Sequence, residues 1–352
     1  MRILLLALGL ALATPALAND TTAELRPGGL VFVRSDVVAM EKEDLFISAD
    51  EVRVAYVFRN VSDDDVEAVV AFPMPDIQAD PYTNVAIPVT DSDNFLGFTV
   101  EVEGAAIAPA LEQKAFAAEL DVTAALTAAN LSLNPYADDV YDAVQRLPDA
   151  IKADWAARGI LQIEASDDGS GMRDYHAPNW RLKSTYWWRM TFPAGKPIDV
   201  RHRYRPSVGG TVGVSFMFDG KPNEPYFSDY REKYCMEDGF VSAVRRAGDV
   251  NADGFPPYYE SWISYVLKTG ANWAGSIGEF RLTVDKGAAQ NLVSFCGTGV
   301  RKVGPTTFEM TSKDFVPDKD IEILLLRRFD PNLGGDEPAS DTGGERPRIK
   351  LQ

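Results

Sequence analysis

Residues 53–77, RVAYVFRNVSDDDVEAVVAFPMPDI, decide the fold of this chain. Apolar side chains alternate with polar ones on both sides of an acidic turn: Val54, Tyr56 and Phe58 before it, then Val66, Ala68, Val70 and Phe72 after it. A period of two over this length predicts two half-buried strands. Pro73 and Pro75 lack a backbone N–H group, so strand pairing is expected to end there. The stretch therefore predicts an antiparallel β-hairpin whose partners are the other strands of the chain.

The first 18 residues have the pattern of a signal peptide. Met1-Arg2 is a short basic start, residues 3–13 are apolar, and Ala16-Leu17-Ala18 fits the small-x-small cleavage rule. We therefore expect residues 1–18 to be removed and the mature chain to begin at Asn19. No later apolar run approaches about 18 residues, so no integral membrane segment is expected after signal removal. A periplasmic or secreted protein is predicted.

The chain is strongly acidic, and this limits its partners. Its formal net charge is −17, and loss of Arg2 with the signal peptide makes it −18. Such a charge repels phosphate backbones and anionic lipid headgroups, which argues against nucleic acid and unassisted membrane binding. A cation, or another envelope protein with a basic patch, is the expected partner.

Two cysteines, Cys235 and Cys296, occur in the chain. In an oxidising exported compartment an even pair predicts a disulfide. The alternative is a catalytic thiol, which needs a histidine partner, and the chain has only two histidines. We favour the disulfide.

The apolar period changes in the middle of the chain. Residues 111–129 are rich in alanine and free of glycine and proline, which predicts a helix. Asn134-Pro135 predicts the start of a second helix, and Pro148 the start of a third that Arg158-Gly159 ends. The fold class is therefore mainly β (α+β), with a β-sandwich over residues 19–218 and a helical insertion at about 111–160. A second β-rich region with the disulfide is expected over 219–329, then a disordered tail over 330–352.

Two family resemblances rest on these stretches. Residues 54–60, 70–75, 98–104 and 112–115 resemble the vault/inter-alpha-trypsin (VIT) domain, a β-sandwich with an F-P-L-P-type strand end. Here Met74 replaces the usual leucine. That resemblance implies adhesion or scaffolding by analogy of fold alone. Over nearly the whole mature chain the sequence is similar to a bacterial exported family, domain of unknown function 4424. The stretches that carry this second resemblance are residues 19–23, 28–32, 43–48, 72–77 and 265–273. It implies no activity.

One motif predicts a metal site. Residues 249–260, DVNADGFPPYYE, satisfy the spacing D-x-[DN]-x-[DN]-G-x5-E of a calcium loop. The ligands would be the side chains of Asp249, Asn251, Asp253 and Glu260 and the carbonyl of Phe255. Pro256 and Pro257 depart from the usual pattern, and an acidic surface turn is the alternative reading. Ca²⁺ is the one cofactor that the sequence suggests.

No catalytic constellation is visible. His202 alternates with Val200 and Tyr204, which predicts a core-facing ring with hydrogen-bonded nitrogens. His176 is predicted in a glycine-rich loop, and no spacing nominates a nucleophile for either histidine. The sequence therefore favours a non-catalytic binding or scaffolding protein of the cell envelope, with calcium as the ligand expected to stabilise it. The alternative is an envelope hydrolase or carbohydrate-binding module, which predicts Trp187, Tyr258 and Tyr259 in one cleft with two carboxylates.

Overall fold

The computed structural model describes residues 19–27, 29–80, 84–90, 92–167, 171–247 and 256–329. The predicted signal peptide, the predicted tail and residues 249–255 of the calcium motif lie outside these residues. Strand accounts for 47% and helix for 15%, which confirms the mainly β class.

The strands of the first half are β1 (Thr21–Arg26), β2 (Gly29–Val33), β3 (Val38–Ile47), β4 (Val52–Asn60), β5 (Val66–Pro73), β6 (Ile77–Gln78), β7 (Asn84–Val85), β8 (Thr99–Val102), β9 (Ala105–Ile107), β10 (Ala110–Ala117), β11 (Leu120–Asp121), β12 (Leu161–Asp167) and β13 (Met172–Pro178). Those of the second half are β14 (Arg181–Phe192), β15 (Pro197–Tyr204), β16 (Gly209–Thr211), β17 (Met217–Phe218), β18 (Lys221–Pro222), β19 (Tyr258–Tyr265), β20 (Ile277–Asp285), β21 (Leu292–Phe295), β22 (Arg301–Lys302), β23 (Thr307–Phe315) and β24 (Ile321–Arg328). The helices are α1 (Thr123–Ala128), α2 (Val140–Gln145), α3 (Asp149–Ala157), α4 (Tyr226–Lys233) and α5 (Asp238–Arg246), with a 3-10 turn at Lys268–Asn272.

Three sheets enclose the main core within the described residues. Sheet A has the order β11-β10-β14-β5-β1-β2, with β6 also paired to β14. Sheet B has the order β22-β23-β20-β3-β4-β15-β8-β9, and sheet C the order β21-β24-β19-β16-β7. Apolar side chains from all three sheets form one buried cluster. Phe58 of sheet B, for example, contacts Phe192 of sheet A and Trp273 with ring centroids 6.0 and 4.5 Å apart.

The predicted hairpin of residues 53–77 is wrong in its pairing. Both strands form where the alternation predicts them, but β4 pairs with β3 and β15, whereas β5 pairs with β1 and β14. The chain crosses from one sheet to the other at buried Asn60, whose Nδ2 donates to the carbonyls of Asp64 and Phe192 at 2.8 Å. A period of two identifies the buried face of a strand and leaves its partner open. The apolar faces of β4 and β5 therefore pack into the same core from different sheets.

The predicted boundary at residue 218 does not divide the sheets. β20 lies in sheet B and pairs in parallel with β3, with Leu282 opposite Leu45. In sheet C, β19 pairs with β16, which precedes that boundary, and with β24, which follows it. The two halves therefore share sheets and a core, because strands from the second half pair with strands from the first.

The helical insertion is shorter than the sequence predicts. Residues 110–117 form β10, which pairs with β14, and Ala118 and Glu119 turn the chain into β11 with φ of 44° and 67°. Pairing with a central strand overrides the helix propensity of alanine. The predicted third helix forms as α3, between Pro148 at its N-cap and Gly159, whereas α2 begins at Val140 rather than near Pro135. Trp180 packs among these helices and donates from Nε1 to the carbonyl of Leu133 at 2.9 Å.

Candidate functional site

A groove of about 440 Å³ opens on the outer face of sheet A, beside the end of sheet C. Its apolar side chains include Leu30, Phe32, Met74 and Phe116, and its charged ones are Asp76, Glu112, Lys114, Lys183, Asp320 and Glu322. We call this site the groove. Its volume lies in the range of about 300–1,000 Å³ that is typical of small-ligand pockets.

Strand geometry explains how these side chains converge. Alternate residues of a strand share a face, so β10 presents Glu112, Lys114 and Phe116 together. Sheet A also curls: the backbone N–H of Leu30 in β2 donates to the Glu112 carboxylate at 3.2 Å, although three strands separate β2 from β10 in the sheet order. Gly29 permits this approach, because a Cβ there would lie 2.5 Å from Lys114 Nζ, and its φ is +117°. The outer face of the sheet is therefore concave.

The wall formed by sheet A carries paired charges. Asp76 Oδ2 lies 3.2 Å from Arg181 and 3.8 Å from Lys183, and Glu112 lies 3.8 Å from Lys114. Burial raises the pKa of Asp76 above its ordinary value, and the two neighbouring cations oppose that rise. These side chains remain about one quarter exposed. They can therefore exchange partners with a ligand that carries charge.

The wall formed by sheet C is acidic. The Asp320 carboxylate accepts hydrogen bonds from the backbone N–H groups of Leu267 and Lys268 at 3.0 and 3.2 Å. Glu322 accepts one from the Ser264 hydroxyl at 2.7 Å, and Lys233 Nζ lies 3.6 Å away. The groove thus joins an apolar floor to four carboxylates and two lysines, an arrangement suited to a ligand with an apolar part and a cationic group.

A second polar site lies inside the core, and we call it the amino-terminal cluster. It consists of Asn19, Asp20, Glu43, Tyr56, His202 and Tyr265, each at most 3% exposed. Asn19 Nδ2 donates to Glu43 at 3.0 Å, and the Tyr56 hydroxyl donates to Asn19 Oδ1. The Tyr265 hydroxyl lies 3.0 Å from that of Tyr56 and donates to Glu43 over 3.4 Å.

Asp20 and His202 form the other half of this cluster. His202 Nε2 lies 2.9 Å from Asp20 Oδ1. The ring therefore faces the core as predicted, but one of its nitrogens, rather than both, is hydrogen-bonded. Asp20 Oδ2 and His202 Nδ1 are buried without a hydrogen-bond partner. Because the pair is inaccessible to solvent, it cannot meet a substrate, and this geometry gives no support to a histidine-dependent hydrolase.

Burial dominates the electrostatics of the cluster. Desolvation raises the pKa of Glu43 to about 8, with hydrogen bonds from Asn19 and Tyr265 opposing the rise and the Asp20 charge adding to it. Desolvation also raises the pKa of Asp20, although His202 opposes it. Two carboxyl groups are thus held in the core with one group beside them, His202, that can carry a positive charge.

A β-bulge directs Glu43 inward. The register between β3 and β4 shifts between Met40 and Lys42, so that Glu43 rather than Lys42 continues the buried face. Gly278 of β20 accommodates the bulge, because a Cβ there would lie 2.7 Å from the Glu41 carbonyl oxygen.

The predicted calcium ligands are only partly described. Asp249, Asn251, Asp253 and Phe255 lie outside the described residues, so the calcium site stays a prediction. Glu260 lies in β19 and is 1% exposed. Its carboxylate accepts hydrogen bonds from the Ser215 backbone N–H at 2.5 Å, the Tyr230 hydroxyl at 2.7 Å and Trp262 Nε1 at 3.2 Å. Burial raises its pKa, which these bonds oppose.

Other predicted residues have clear positions. Cys235 and Cys296 form the predicted disulfide, with Cα atoms 5.0 Å apart. His176 lies in strand β13, opposite Ile163, rather than in a loop. Of the aromatic residues expected to share a cleft, Tyr258 is 2% exposed in a separate apolar cluster, and Trp187 packs with Val69 and Ala71. The groove brings none of them together with its carboxylates.

Sequence reasoning missed both sites. The groove joins residues from six separate segments, and only the strand end at Pro73-Met74-Pro75 was recognisable in advance. The amino-terminal cluster gathers three of the stretches that carry the family resemblance: residues 19–23, 43–48 and 265–273. A glutamate at the start of an apolar alternation, Glu43, was the signal available in the sequence.

Comparisons with known proteins place the chain in a family. A family model described as a domain of unknown function (DUF4424) matches residues 18–324. The chain belongs to this family. No curated protein matches it.

Two solved structures are similar to this DUF4424 chain. A crystal structure from Legionella pneumophila, described as a "putative nutrient binding protein", is 16% identical with a TM-score of 0.43, over 88% of this chain and 70% of that one. An M1 zinc metallopeptidase from Deinococcus radiodurans is 10% identical with a TM-score of 0.21, over 84% of this chain and 44% of that one. Within the described residues, no helix is both long enough and apolar enough to cross a membrane.

Proposed function

We propose that this protein is an exported, non-catalytic binding protein of the cell envelope, and that its groove takes an extended peptide segment of a partner protein with apolar and basic residues. The observation that carries the proposal is the composition of the groove. Four carboxylates and two lysines line it, and Phe32, Met74 and Phe116 supply an apolar floor. Arg181 and Lys233 lie beside Asp76 and Glu322, whereas Asp320 accepts hydrogen bonds from backbone N–H groups.

The shape of sheet A supports a peptide as the ligand. β2 is the last strand of this sheet, and Leu30 and Phe32 of that strand line the groove. An extended peptide commonly adds to the edge of a sheet, where main-chain hydrogen bonds give affinity and side-chain pockets give specificity. The net charge of −18 after signal removal favours a basic segment, because it attracts such a partner over long distances.

Export is supported by residues 1–18 and by the disulfide, since disulfides persist in oxidising compartments. Calcium binding by residues 249–260 and the scaffolding role that the VIT resemblance implies stay predictions. Melting the protein in calcium and in chelator tests the first, because a cation bound only by the folded state raises the melting temperature.

The test is binding of fluorescent peptides, measured by anisotropy with the mature protein. The panel is one set of short peptides of equal apolar content whose charged positions are lysine, glutamine or glutamate. We expect the lysine set to bind and the glutamate set not to bind. Affinity should fall as salt is added, because exposed charges are screened.

Two variants locate the binding. Glu112→Gln combined with Glu322→Gln removes two groove charges and should weaken the lysine peptides at least several-fold. Glu101→Gln removes one exposed carboxylate from β8 of sheet B, which does not line the groove, and is the control for loss of surface charge. Equal affinity for all three peptide sets, or equal losses in the groove variant and the control, would reject the groove as a site for basic peptides.

A further inference from the structure

The first described residues are built into the core. Asn19, Asp20 and Thr21 are 0% exposed. The segment 268–273 holds them: the Thr269 hydroxyl donates to the Asn19 carbonyl at 2.6 Å, and Trp273 Nε1 donates to the Asp20 carbonyl at 2.5 Å. Residues about 250 positions away therefore bond to the predicted start of the mature chain and make it part of the fold.

The side chain of Asn19 packs closely against Gly270. A Cβ at Gly270 would lie 2.7 Å from Asn19 Nδ2, so a side chain at position 270 would collide with it. The side chain of Asn19 also bonds to Glu43 and Tyr56. The side chain of Asn19 is therefore fixed by contacts with several parts of the fold.

The charges around Asn19 are unbalanced. Asp20 and Glu43 are two fully buried carboxyl groups, whereas His202 is the single group of the amino-terminal cluster that can be a cation. Asp20 Oδ2 is buried and accepts no hydrogen bond. A buried charge is costly unless it is paired, so ionisation of both carboxyl groups calls for one more cation that donates hydrogen bonds.

Cleavage after Ala18 would supply a cation on Asn19, which is itself a member of this cluster. It converts the backbone nitrogen of Asn19 into an α-amino group, which is mostly protonated at neutral pH because its ordinary pKa is about 8. We propose that removal of residues 1–18 creates a buried ammonium group at Asn19 that pairs with the carboxylates of Asp20 and Glu43 and completes the cluster. The folded protein is then fully stable only after its signal peptide has been removed.

This inference deepens the proposed export and rests on cleavage between Ala18 and Asn19. The intact precursor has a peptide bond at Asn19 in place of the ammonium group. Signal removal therefore couples stable folding to arrival outside the cytoplasm, and the precursor remains easier to unfold for translocation.

The test compares two full-length mature chains, both with the disulfide formed. One begins at Asn19, released from a fusion by a protease that leaves no extra residue, and the other carries Gly-Ser before Asn19. We expect the extended chain to melt lower by on the order of 10 °C, the size expected when a buried charge pair loses one partner. The same Gly-Ser pair added at the carboxyl end controls for the extension itself. Equal melting temperatures of the two chains would overturn the proposal.

A charge-specific measurement separates pairing from steric exclusion. Pairing with the carboxylates of Asp20 and Glu43 should raise the pKa of the α-amino group, against the opposing effect of burial. This contribution to stability is lost as the pH rises through that raised value. Tyr56 and Tyr265 do not interfere, because burial raises their own pKa values further. The stability difference between the chains should shrink above about pH 8 and should be smaller when both carry Glu43→Gln. A difference unaffected by pH and by Glu43→Gln would leave only a steric clash and refute the ammonium pair.

A third measurement needs no variant. In the native chain that begins at Asn19, an amine-reactive acylating reagent should modify exposed lysines and spare the α-amino group, whereas in urea it should modify both. Equal labelling of that group in the native and unfolded protein would contradict its burial. The mass of the protein exported by living cells separately checks the cleavage site: an amino terminus other than Asn19 would refute the export boundary, whatever the melting temperatures show.

Discussion

The groove and the amino-terminal cluster contain the same kinds of side chain in opposite surroundings. In the groove, Asp76 and Glu112 lie within 4 Å of lysine or arginine nitrogens and are about one quarter exposed. In the cluster, Asp20 and Glu43 are fully buried, and one oxygen of Asp20 has no hydrogen-bond partner. Solvent and nearby cations stabilise the charges of the groove, so changing one of them has little effect on the free energy of unfolding. Desolvation makes each charge of the cluster affect that free energy strongly. The comparison separates a site suited to binding from a site that controls stability.

The largest expected effect is the pH dependence that Glu43 imposes. Desolvation, opposed by Asn19 and Tyr265 and increased by Asp20, raises its pKa from 4.5 to about 8. A raised carboxyl pKa favours the folded state fully below pH 4.5, and this contribution is lost as the pH rises to about 8. In a chain that keeps residues before Asn19, the loss should total on the order of 5 kcal/mol. Urea unfolding from pH 4 to 9 measures it, and Glu43→Gln should flatten the profile; an unchanged slope in that variant would show that other groups cause it.

Removal of Asp20 should have the next largest effect. Asp20→Ala leaves His202 in the core without its hydrogen-bond partner and should lower the free energy of unfolding at pH 7 by about 3 to 5 kcal/mol. Glu112→Ala in the groove is the matched loss of a carboxylate and should cost less than about 1 kcal/mol. Urea unfolding of both variants checks the contrast, and similar losses would break the distinction between the two sites.

A smaller effect is expected from filling the space beside Asn19. Gly270→Ala places a Cβ 2.7 Å from Asn19 Nδ2 and 3.3 Å from Ile277 Cδ1, so it should lower the free energy of unfolding by about 1 to 3 kcal/mol. Gly239→Ala in α5 has no atom within 4 Å of the added Cβ and should be neutral or slightly stabilising. Thermal melting of both measures the difference. A neutral Gly270→Ala would mean that the core has room beside Asn19.

The smallest effect on stability is expected in the groove itself. Glu112→Gln keeps a hydrogen-bond acceptor for the Leu30 N–H and loses an ion pair with Lys114 that is about one quarter exposed. The free energy of unfolding should therefore change by less than about 1 kcal/mol. Binding of the lysine peptides should nevertheless weaken. Melting and anisotropy on the same preparation give both values, and a large loss of stability would show that Glu112 holds the curl of sheet A.

The candidate sites show where prediction from the sequence stopped. The inward orientation of His202 was predicted, because alternation with Val200 and Tyr204 assigns it to the buried face. The burial of Glu43 was not predicted, because a bulge after Met40 moves it to the face that strict alternation would assign to Lys42. The groove depends on the approach of β2 to β10, two strands that the sheet order keeps apart. No local pattern encodes that approach.

The sequence by itself determined the mainly β class, the positions of β4 and β5, the end of β5 at the prolines and the pairing of Cys235 with Cys296. Each of these follows from local periodicity, a missing backbone donor or a count of two cysteines. Tertiary structure alone decided that β4 and β5 lie in different sheets, that residues 111–117 form a strand despite their alanines, and that β20 joins β3 across the middle of the chain. The physical reason is that alternation and propensity describe one segment at a time, whereas strand partners are selected by burying apolar faces contributed from the whole chain.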